Sequence, residues 1–358
     1  MKDNILLVYG GNSVEHEISI VTALQVKEKY KGKYNLIPCY LKNNRFYIDK
    51  ELNDLAFYKK RNCKLKQEIF FKRNTLYVKS NFKKIRFSGV MLIVHGYNCE
   101  DGTLYSFFKT LNIPVIAENL YSAVIGQDKV LSKKMANVDT LSYYLYDDSF
   151  MPSAIDYPII IKPARLGSSV GIKIANNEDE LQEKIKEVNF FTKNIIIEKK
   201  LDDFTEYNIA LFKYNDDFII SNIEKVSNSK VLTYDDKYKN DKKSMEGQKR
   251  EIPAIIDDTL KELINNTAKK IYNNLNASLI VRIDFLYDNK ANKLYFNEIN
   301  NIPGSLSLYL FKGIIDISEL IDKYISNGLK NYDTENDFIC SYDDNIFENV
   351  NFDVNLKK

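Results

Sequence analysis

Three side chains that carry oxygen have the types and spacing of a site for a divalent cation. Asp284 and, after a short turn, Glu298 and Asn300 alternate with apolar residues along two expected β-strands. The turn residues Asp288-Asn289-Lys290 predict that the strands pair as a hairpin, which brings the three side chains to one face. Carboxylate and amide oxygens are the ligands that Mg²⁺ prefers. The alternative is a half-exposed hairpin in which Arg282 and Asp284 form an ordinary ion pair.

A second pattern predicts a site for phosphate. Lys162 follows three isoleucines and precedes a loop rich in Gly and Ser at residues 167–171. An ammonium group beside loop amides and hydroxyls suits phosphate oxygens, although the loop lacks the Gly-Lys-Ser/Thr of a usual P-loop. Glu198 ends another apolar run and is a candidate for hydrogen bonds from an adenine amino group or ribose hydroxyls. The alternative for Glu198 is the solvent-facing end of a strand.

The two histidines of the chain fall in loops where α/β proteins bind ligands. His16 and His95 each lie just after a run that reads as a parallel strand, and open α/β sheets bind ligands at the carboxyl ends of such strands. Glu15 and His95 are therefore candidates for the ammonium ligand and the general base of an amino-acid site. A solvent-facing histidine in each loop is the alternative.

The elements that must position these residues fall into two regions. Residues 1–118 alternate short apolar runs with helical patterns, which predicts an open, doubly wound sheet. Its strands are expected at 5–9, 36–41, 69–78, 90–94 and 115–117, with helices at 18–30 and 102–111. Residues 45–81 are rich in charge and read as a peripheral hairpin and loop.

After residue 118 the pattern changes. One helix is expected at 120–135, and the proline at residue 163 ends a strand predicted over 158–163. Further strands are expected at 172–174, 195–198, 207–212 and 218–223, with helices at 178–188 and 257–274. A polar loop occupies 226–251, and residues 331–358 read as a loosely attached acidic tail.

Composition limits the class of protein. The chain has 358 residues, enough for two or three domains, and a formal net charge of +2, which favours neither nucleic acid nor a membrane surface as a partner. No run of residues predicts a signal peptide or a membrane span. The four cysteines lack CxxC spacing, which favours a reducing cytoplasm over a disulfide framework or a zinc site.

The order of motifs along the chain resembles one family. The motifs are Gly-Gly-Asn-Ser-x-Glu-His-Glu at 10–17, His-Gly-x-x-x-Glu-Asp-Gly-Thr at 95–103, Gln-Asp-Lys at 127–129, Ile-Lys-Pro-Ala-Arg-x-Gly-Ser-Ser-Val-Gly at 161–171, Tyr-Asp-Asp-Lys-Tyr at 234–238, Arg-x-Asp-Phe at 282–285 and Asn-Glu-x-Asn-x-x-Pro-Gly at 297–304. This series is similar to that of the D-alanine–D-alanine ligases of the ATP-grasp superfamily, from about residue 4 to 325.

The resemblance implies a fold, a domain division and a reaction. The fold is α/β, an ATP-grasp fold preceded by a Rossmann-like open parallel-sheet domain. The implied divisions are 1–118 for that first domain, 119–194 and 195–330 for the two ATP-grasp subdomains, and 331–358 for the tail. ATP phosphorylates the carboxylate of one D-amino acid, and the amine of a second attacks the acyl phosphate, in peptidoglycan precursor synthesis. A cytoplasmic homodimer that takes small-molecule substrates is implied as well.

The resemblance also assigns roles to residues. ATP is bound by Lys129, Lys162, Ser168, Ser169, Glu198, Lys199, Glu206 and Lys237, with Glu198 facing the adenine and Glu206 the ribose. Two Mg²⁺ ions, or Mn²⁺ in their place, are held by Asp284, Glu298 and Asn300 and neutralise the γ-phosphoryl group as it transfers. Arg282 stabilises the oxyanion. Glu15 and His95 hold the first D-alanine, Tyr238 closes over the site with Glu15 and Ser168, and the second substrate meets Gly304, Tyr309 and Leu310.

The chain departs from the family pattern after Gly304. Tyr309 stands where the family has a serine that binds the carboxylate of the second substrate, and Ser305 and Ser307 are candidate substitutes. Cys99 replaces a usual glycine and reads as a small loop residue without a chemical role. A different second substrate, such as D-serine, a D-hydroxy acid or another amino acid, and a regulatory protein that only binds nucleotide are the alternative functions.

Overall fold

Three β-sheets organise the chain. The structure, a computed structural model, describes residues 2–60, 64–147, 151, 155–227 and 249–335. The strands are β1 Asn4–Gly10, β2 Asn35–Lys42, β3 Arg45–Tyr47, β4 Glu68–Lys72, β5 Thr75–Val78, β6 Lys84–Arg86, β7 Gly89–Leu92, β8 Val115–Ile116, β9 Tyr143–Leu145, β10 Ile159–Pro163, β11 Lys173–Ala175, β12 Ile195–Lys199, β13 Phe204–Tyr214, β14 Asp217–Ile220, β15 Glu224–Ser227, β16 Lys249–Glu251, β17 Val281–Asp288 and β18 Lys293–Asn300.

Helices cover and connect the sheets. They are α1 His16–Lys29, α2 Leu55–Tyr58, α3 Thr103–Thr110, α4 Leu120–Gln127, α5 Lys129–Ala136, α6 Glu178–Asn189, α7 Asp258–Asn274 and α8 Ile317–Glu335, with 3₁₀ turns at Lys50–Asn53 and Gly304–Phe311. Within the described residues, no helix has both the length and the apolar character that crossing a membrane requires.

The first sheet has a parallel half and an antiparallel half. Its strand order is β6-β5-β4-β3-β2-β1-β7-β8, and β2, β1, β7 and β8 pair in parallel, as the prediction of a doubly wound sheet requires. The peripheral hairpin predicted within 45–81 is present as β4 and β5, on the outer side of the sheet. The segment is less of a loop than expected, because β3, β4 and β5 all extend the sheet there. Ile69, Leu76 and Val78 are buried in the core of this sheet, which a charge-rich sequence concealed. The single strand expected over 69–78 turns at Arg73, whose φ is 50°.

The helix predicted at 120–135 is two helices, α4 and α5. They meet at Asp128, whose backbone is extended, with φ −102° and ψ 111°. The carboxylate of Asp128 accepts hydrogen bonds from the amides of Val130 and Leu131, so it caps α5. The break places Lys129 in the first turn of a new helix, with its side chain free to point away from the axis of α4.

The second and third sheets face each other across a cleft. The second sheet has the order β11-β10-β12-β9, and the third has β16-β15-β13-β17-β18 with β14 beside β13. The predicted hairpin is confirmed as β17 and β18, which pair with Asp284 opposite Glu298 and Arg282 opposite Asn300. The register shifts between Asp284 and Phe285, and such bulges redirect side chains.

The last helix reaches into the segment that was predicted as a tail. Helix α8 continues through Glu335, past the expected end of the folded chain at residue 330. Tyr324 and Ile325 of this helix are fully buried against the large core that the first and third sheets share. Residues 336–358 lie outside the described residues, and the domain boundaries stay a prediction.

Candidate active site

A cleft of about 300 Å³ collects most of the predicted site residues. Those that line it are Glu15, His95, Lys129, Lys162, Ser168, Ser169, Glu198, Glu206, Arg282, Asp284, Glu298, Asn300, Gly304 and Tyr309. The structure does not bring Lys199 and Leu310 to the cleft. The Lys199 side chain is exposed, because successive residues of β12 face opposite ways, and Leu310 is fully buried in the core. Lys237 and Tyr238 lie outside the described residues.

One row of polar side chains crosses the floor of the cleft. Glu224 on β15, Asn208 on β13, Asp284 on β17 and Glu298 on β18 are successive partners in register. Side chains directly opposite one another on neighbouring strands lie close together on the same face. The row therefore extends the predicted pair of carboxylates by two further polar groups, toward the far edge of the sheet.

The carboxylate of Asp284 is held by two neighbours. Arg282 donates to it through Nε and Nη2, each at 2.7 Å, and Asn300 donates through Nδ2 at 3.1 Å. This bidentate ion pair is the alternative that the sequence left open for the hairpin. It fixes the Asp284 carboxylate in the plane of the guanidinium, at the centre of the cleft floor.

The side chains around Asp284 could hold a magnesium ion if the amide of Asn300 contributes an oxygen. Among the described residues, no group of three or more His, Cys, Asp or Glu side chains is close enough to form a metal site. The predicted set has two carboxylates, Asp284 and Glu298, directly opposite in register, and its third member, Asn300, is an amide. Rotating the Asn300 side-chain amide by 180° would exchange its nitrogen and oxygen positions. The three side chains would then offer only oxygen atoms, the ligands that Mg²⁺ prefers.

Lys129 faces the same carboxylates from helix α5. Its Nζ lies 3.5 Å from Glu298 Oε2 and donates to the Leu166 carbonyl oxygen at 2.7 Å. These contacts connect the third sheet with the loop that follows β10. A cation in this position balances part of the negative charge on the cleft floor.

Glu198 is not the solvent-facing end of a strand. It is 2% exposed, and its two oxygens contact Lys162 Nζ at 2.6 Å and Lys133 Nζ at 3.1 Å. Burial acts to raise the pKa of Glu198, but the two ammonium groups outweigh it and hold that pKa at about 2. Glu198 is therefore an anion held between two buried cations, with Lys162 on the side of the cleft.

The loop at residues 167–171 is closed against the first domain. The hydroxyl of Ser168 donates a hydrogen bond to Oε1 of Glu15, and Ser168 and Ser169 both have positive φ. A Cβ at Gly167 would stand 3.0 Å from the same carboxylate, so a larger residue there would require the Glu15 side chain to shift by a few tenths of an ångström. Burial raises the pKa of Glu15. The predicted contact between Glu15 and Ser168 is present.

His95 stands beside an unusual turn near Gly304. Its Nε2 is 3.2 Å from Thr22 Oγ1, and the amide of Ser305 donates to that same oxygen at 2.9 Å. Ser305, Leu306 and Ser307 all have φ near 50°, the left-handed region that costs an L-residue about 1–2 kcal/mol. Burial lowers the pKa of His95 to about 4, so its imidazole is neutral at physiological pH.

Glu100 ties the loop after β7 to the loop after β18. Its carboxylate accepts from the amide of Gly96 at 3.0 Å and from the amide of Ile302 at 2.9 Å. Burial, together with the nearby Glu15, raises the pKa of Glu100 to about 7. Burial likewise raises the pKa of the neighbouring Cys99 thiol to about 12, so that cysteine is an uncharged loop residue.

Tyr309 borders the cleft at the far end of the polar row. Its side chain is 37% exposed, and its hydroxyl donates to Glu224 Oε2 at 3.0 Å. Glu224 also accepts from Asn208 at 3.1 Å and from Arg250 at 3.4 Å. Because the single hydroxyl hydrogen of the phenol is already donated to Glu224, Tyr309 does not offer it to the carboxylate of a substrate in this arrangement.

Sequence reasoning missed several residues of the site. Asn208 and Glu224 belong to the polar row, and Lys133 is 4% exposed beside Glu198. Two signals were available: Asn208 lies two residues after Glu206 on an apolar strand, and Lys133 lies four residues after Lys129 on one helix face. Glu224, by contrast, stands alone in its segment and had no pattern around it.

Comparison with known proteins gives a consistent result along the chain. Residues 4–117 match the family model described as D-ala D-ala ligase N-terminus, and residues 147–324 match D-ala D-ala ligase C-terminus. A D-alanine–D-alanine ligase from Thermosipho africanus is 36% identical over 365 residues, which cover 96% of this chain and 98% of that protein.

Two solved structures share the fold. The D-alanine–D-alanine ligase from Helicobacter pylori has a TM-score of 0.73 at 28% identity and covers 91% of this chain and 98% of its own. The VanG D-Ala:D-Ser ligase from Enterococcus faecalis has a TM-score of 0.78 at 25% identity, with coverages of 92% and 100%. The first of these two proteins is named for D-alanine as its second amino acid, and the other for D-serine.

Proposed function

Because the chain belongs to the D-alanine–D-alanine ligase family, we propose that it joins two D-alanine molecules through an amide bond, using ATP in the synthesis of peptidoglycan precursors. The family membership makes it an ATP-dependent ligase with an ATP-grasp fold. The roles of individual residues, the metal ions and the identity of the second amino acid are parts of the proposal.

In the first step the carboxylate of one D-alanine attacks the γ-phosphorus of ATP. The products are D-alanyl phosphate and ADP, and the transferred group carries negative charge throughout. Lys129 and Lys162 line the cleft and are the proposed partners of this negative charge. Ser168 and Ser169 belong to the loop that borders the same cleft. Glu206, two residues from Asn208 on β13, is the proposed contact for the ribose, and Glu198 lies beside the proposed adenine pocket.

Asp284, Glu298 and Asn300 would hold the magnesium ions. The ions, or Mn²⁺ in their place, neutralise the phosphoryl oxygens when they are bound. Binding at Asp284 requires its carboxylate to share oxygens with Arg282, whose fork contacts both of them. The Arg282 guanidinium stays at the same point of the cleft, from which it can stabilise the oxyanion of the second step.

The first D-alanine would lie near Glu15 and His95. Glu15 carries a carboxylate for the ammonium group of the substrate, and its hydrogen bond from Ser168 joins it to the loop over the phosphates. His95 is buried and neutral, and it holds Thr22 and with it the turn at Ser305. We therefore assign His95 to the placement of substrate loops, a narrower role than the general base expected from sequence.

In the second step the amine of the second amino acid attacks the carbonyl carbon of D-alanyl phosphate. The ammonium group first loses one proton to water, which gives the nucleophilic amine. The nitrogen then forms the new C–N bond, phosphate leaves with the electron pair of the C–O bond, and the nitrogen loses a second proton to water, so that the amide keeps one hydrogen. Gly304 and Tyr309 border the part of the cleft that is left for this second molecule.

One observation carries the proposal: cationic side chains (Lys129, Lys162 and Arg282) and anionic side chains (Asp284 and Glu298) all line the same cleft. The test is a screen for ADP release over pairs of D- and L-amino acids and D-hydroxy acids, with each product identified by mass. D-Alanyl-D-alanine as the main product supports the proposal. Absence of any ligated product with ATP and Mg²⁺ would refute it.

Tyr309 favours one second candidate, a ligase that takes D-serine as the second amino acid. The phenol and its partner Glu224 place polar groups at the wall of the second pocket. A carboxylate there can accept a hydrogen bond from a serine hydroxyl but not from a methyl group. The same screen decides, through the ratio of kcat/KM for D-serine and D-alanine.

We also propose a cytoplasmic homodimer. Helices α4 and α5 expose a group of apolar side chains, Leu120, Tyr121, Val124, Leu131 and Met135, of the kind that subunit contacts cover. The cysteines Cys39 and Cys99 are unpaired and buried, which agrees with a reducing compartment. Analytical ultracentrifugation of the wild-type protein and of Tyr121→Lys tests the dimer.

A further inference from the structure

Lys133 is a buried cation to which the mechanism above gives no role. It is 4% exposed, and its Nζ lies 3.1 Å from Glu198 and donates to the Phe296 carbonyl oxygen at 3.3 Å. The rings of Tyr143 and Phe296 lie 6.0 and 5.8 Å from the same nitrogen. A charge in such a place is costly unless it is paired, so its retention calls for a reason.

The position of Lys133 joins the two walls of the cleft. Glu198 belongs to β12 of the second sheet, whereas Phe296 belongs to β18 of the third. Lys129, one helical turn earlier, contacts Glu298 on β18 from the same helix. Helix α5 thus places two ammonium groups near the cleft. Lys129 lines the cleft, whereas Lys133 lies buried beneath its floor.

The charges around Glu198 are unequal. Two cations, Lys133 and Lys162, contact one anion, and all three side chains are buried, with exposures of 1%, 7% and 3%. Lys162 lines the cleft, whereas Lys133 is not among the residues that line it. An anion that enters the cleft can therefore reach Lys162 but finds Lys133 beneath the floor.

The arrangement explains how Lys162 can change partners. If Glu198 had Lys162 alone, moving that ammonium to a phosphate would leave a buried carboxylate unpaired, which is strongly unfavourable. With Lys133 in place, Glu198 keeps a partner when Lys162 turns to the ligand. The pair of Lys133 and Glu198 then remains as a fixed, neutral unit behind the phosphate site.

We propose that Lys133 is a positioning residue for the nucleotide: its lasting ion pair with Glu198 releases Lys162 to bind the phosphates of ATP. The inference rests on the proposed function, because it takes the entering anion to be the phosphate chain of ATP. Lys133 acts through Glu198 and Lys162 and does not touch the nucleotide.

The test compares two ligands that differ only in phosphate. Binding of ADP with Mg²⁺ and of adenosine to the full-length protein is measured by calorimetry for wild type, Lys133→Met and Lys134→Met. Lys134 is exposed on the same helix, so its variant is the matched control. In Lys133→Met the Kd for ADP is expected to rise about tenfold or more, because Glu198 retains Lys162, whereas adenosine changes by less than about twofold. The control binds both ligands as wild type does.

A second variant separates this role from simple support of the fold. In Lys133→Met combined with Glu198→Gln, no buried carboxylate holds Lys162, so the ratio of ADP affinity to adenosine affinity is expected to return to within about threefold of wild type. The ratio is the readout because loss of a contact between Glu198 and the adenine would weaken both ligands alike. The double variant also serves if Lys133→Met alone does not fold, because it removes both charges of the pair.

Three results would overturn the inference. These are equal weakening of ADP and adenosine in Lys133→Met, unchanged ADP affinity in that variant, and a double variant whose ratio of ADP affinity to adenosine affinity is no higher than that of the single one. Failure of the proposed function looks different, since in that case the wild-type protein itself does not bind ADP with Mg²⁺.

Discussion

The two ends of the cleft are built in different ways. At the proposed nucleotide end, charged side chains come from regular strands and from the first two turns of α5, and each contacts an opposite charge within 3.5 Å. At the end proposed for the second amino acid, a left-handed turn at Ser305–Ser307 carries the backbone, and Tyr309 with Glu224 forms the wall.

The difference follows from what each end must do. Phosphoryl transfer requires charges at fixed separations, which strands in register and a capped helix provide without strain. Selection of the second amino acid depends on the shape of a small pocket, which an irregular turn can change without disturbing the charges. Substitutions at the charged end should therefore change the turnover number. Substitutions in the turn should instead change substrate preference and stability.

The largest effect is expected at Glu298. Glu298→Ala removes one of the two facing carboxylates and leaves Lys129 with one fewer partner, so kcat should fall by about a thousandfold or more. Its side chain is 31% exposed, so the melting temperature should change little. Glu262→Ala, on the exposed face of α7, is the control, and kcat for Glu298→Ala within tenfold of wild type would contradict the assignment.

The next effect, on stability, is expected at Glu118, which holds the backbone just before β17. Glu118 is buried before α4 and accepts hydrogen bonds from the amides of Ser278 and Leu279, just ahead of β17. Burial raises the pKa of Glu118 from 4.5 to about 7. Between these values the folded state holds a proton that the unfolded state has lost, so stability is full below pH 4.5 and falls as pH rises through 7.

Glu118→Gln should remove this dependence. The free energy of unfolding of the wild type is expected to lose about 3 kcal/mol more than that of the variant between pH 4.5 and pH 8. Urea unfolding at a series of pH values measures the difference. Parallel curves for the two proteins would show that Glu118 titrates normally in the folded state.

A smaller effect on the other end is expected from Tyr309. Tyr309→Ser enlarges the second pocket and frees Glu224 from one donor, so KM for the second amino acid should change by about tenfold while KM for ATP stays within about twofold. Tyr309→Phe removes only the hydroxyl and separates its hydrogen bond from the volume of the ring. Equal changes in both constants would place Tyr309 outside the second pocket.

The smallest effect tests strain in the turn. Ser305→Gly relieves a left-handed conformation and should stabilise the protein by about 0.5–1 kcal/mol, since part of the gain is offset by the entropy of glycine. Asn112→Gly, at another position with φ near 50°, should gain less, because asparagine tolerates this region. Equal melting temperatures for wild type and Ser305→Gly would mean that the turn stores no strain.

Much of the charged end was predictable from residue order. Alternation of polar and apolar residues in β17 and β18 predicted that Asp284 and Glu298 lie on the same face of the hairpin. Strand pairing does place them opposite each other. Lys133 and Glu224 were missed, because one reads as an ordinary helix lysine and the other as an isolated acid. Their importance comes from partners that are distant in sequence.

The chain therefore determined by itself the strands, the family and the set of charges for the phosphate chemistry, since these depend on local periodicity and on motifs with fixed spacing. Only the tertiary structure decided which charges pair. Lys133 and Lys162 share Glu198, Arg282 holds Asp284, and Tyr309 donates a hydrogen bond to Glu224. The physical reason is that Coulomb attraction and hydrogen bonds act over a few ångströms in space, and the sequence specifies those distances only once the sheets have packed.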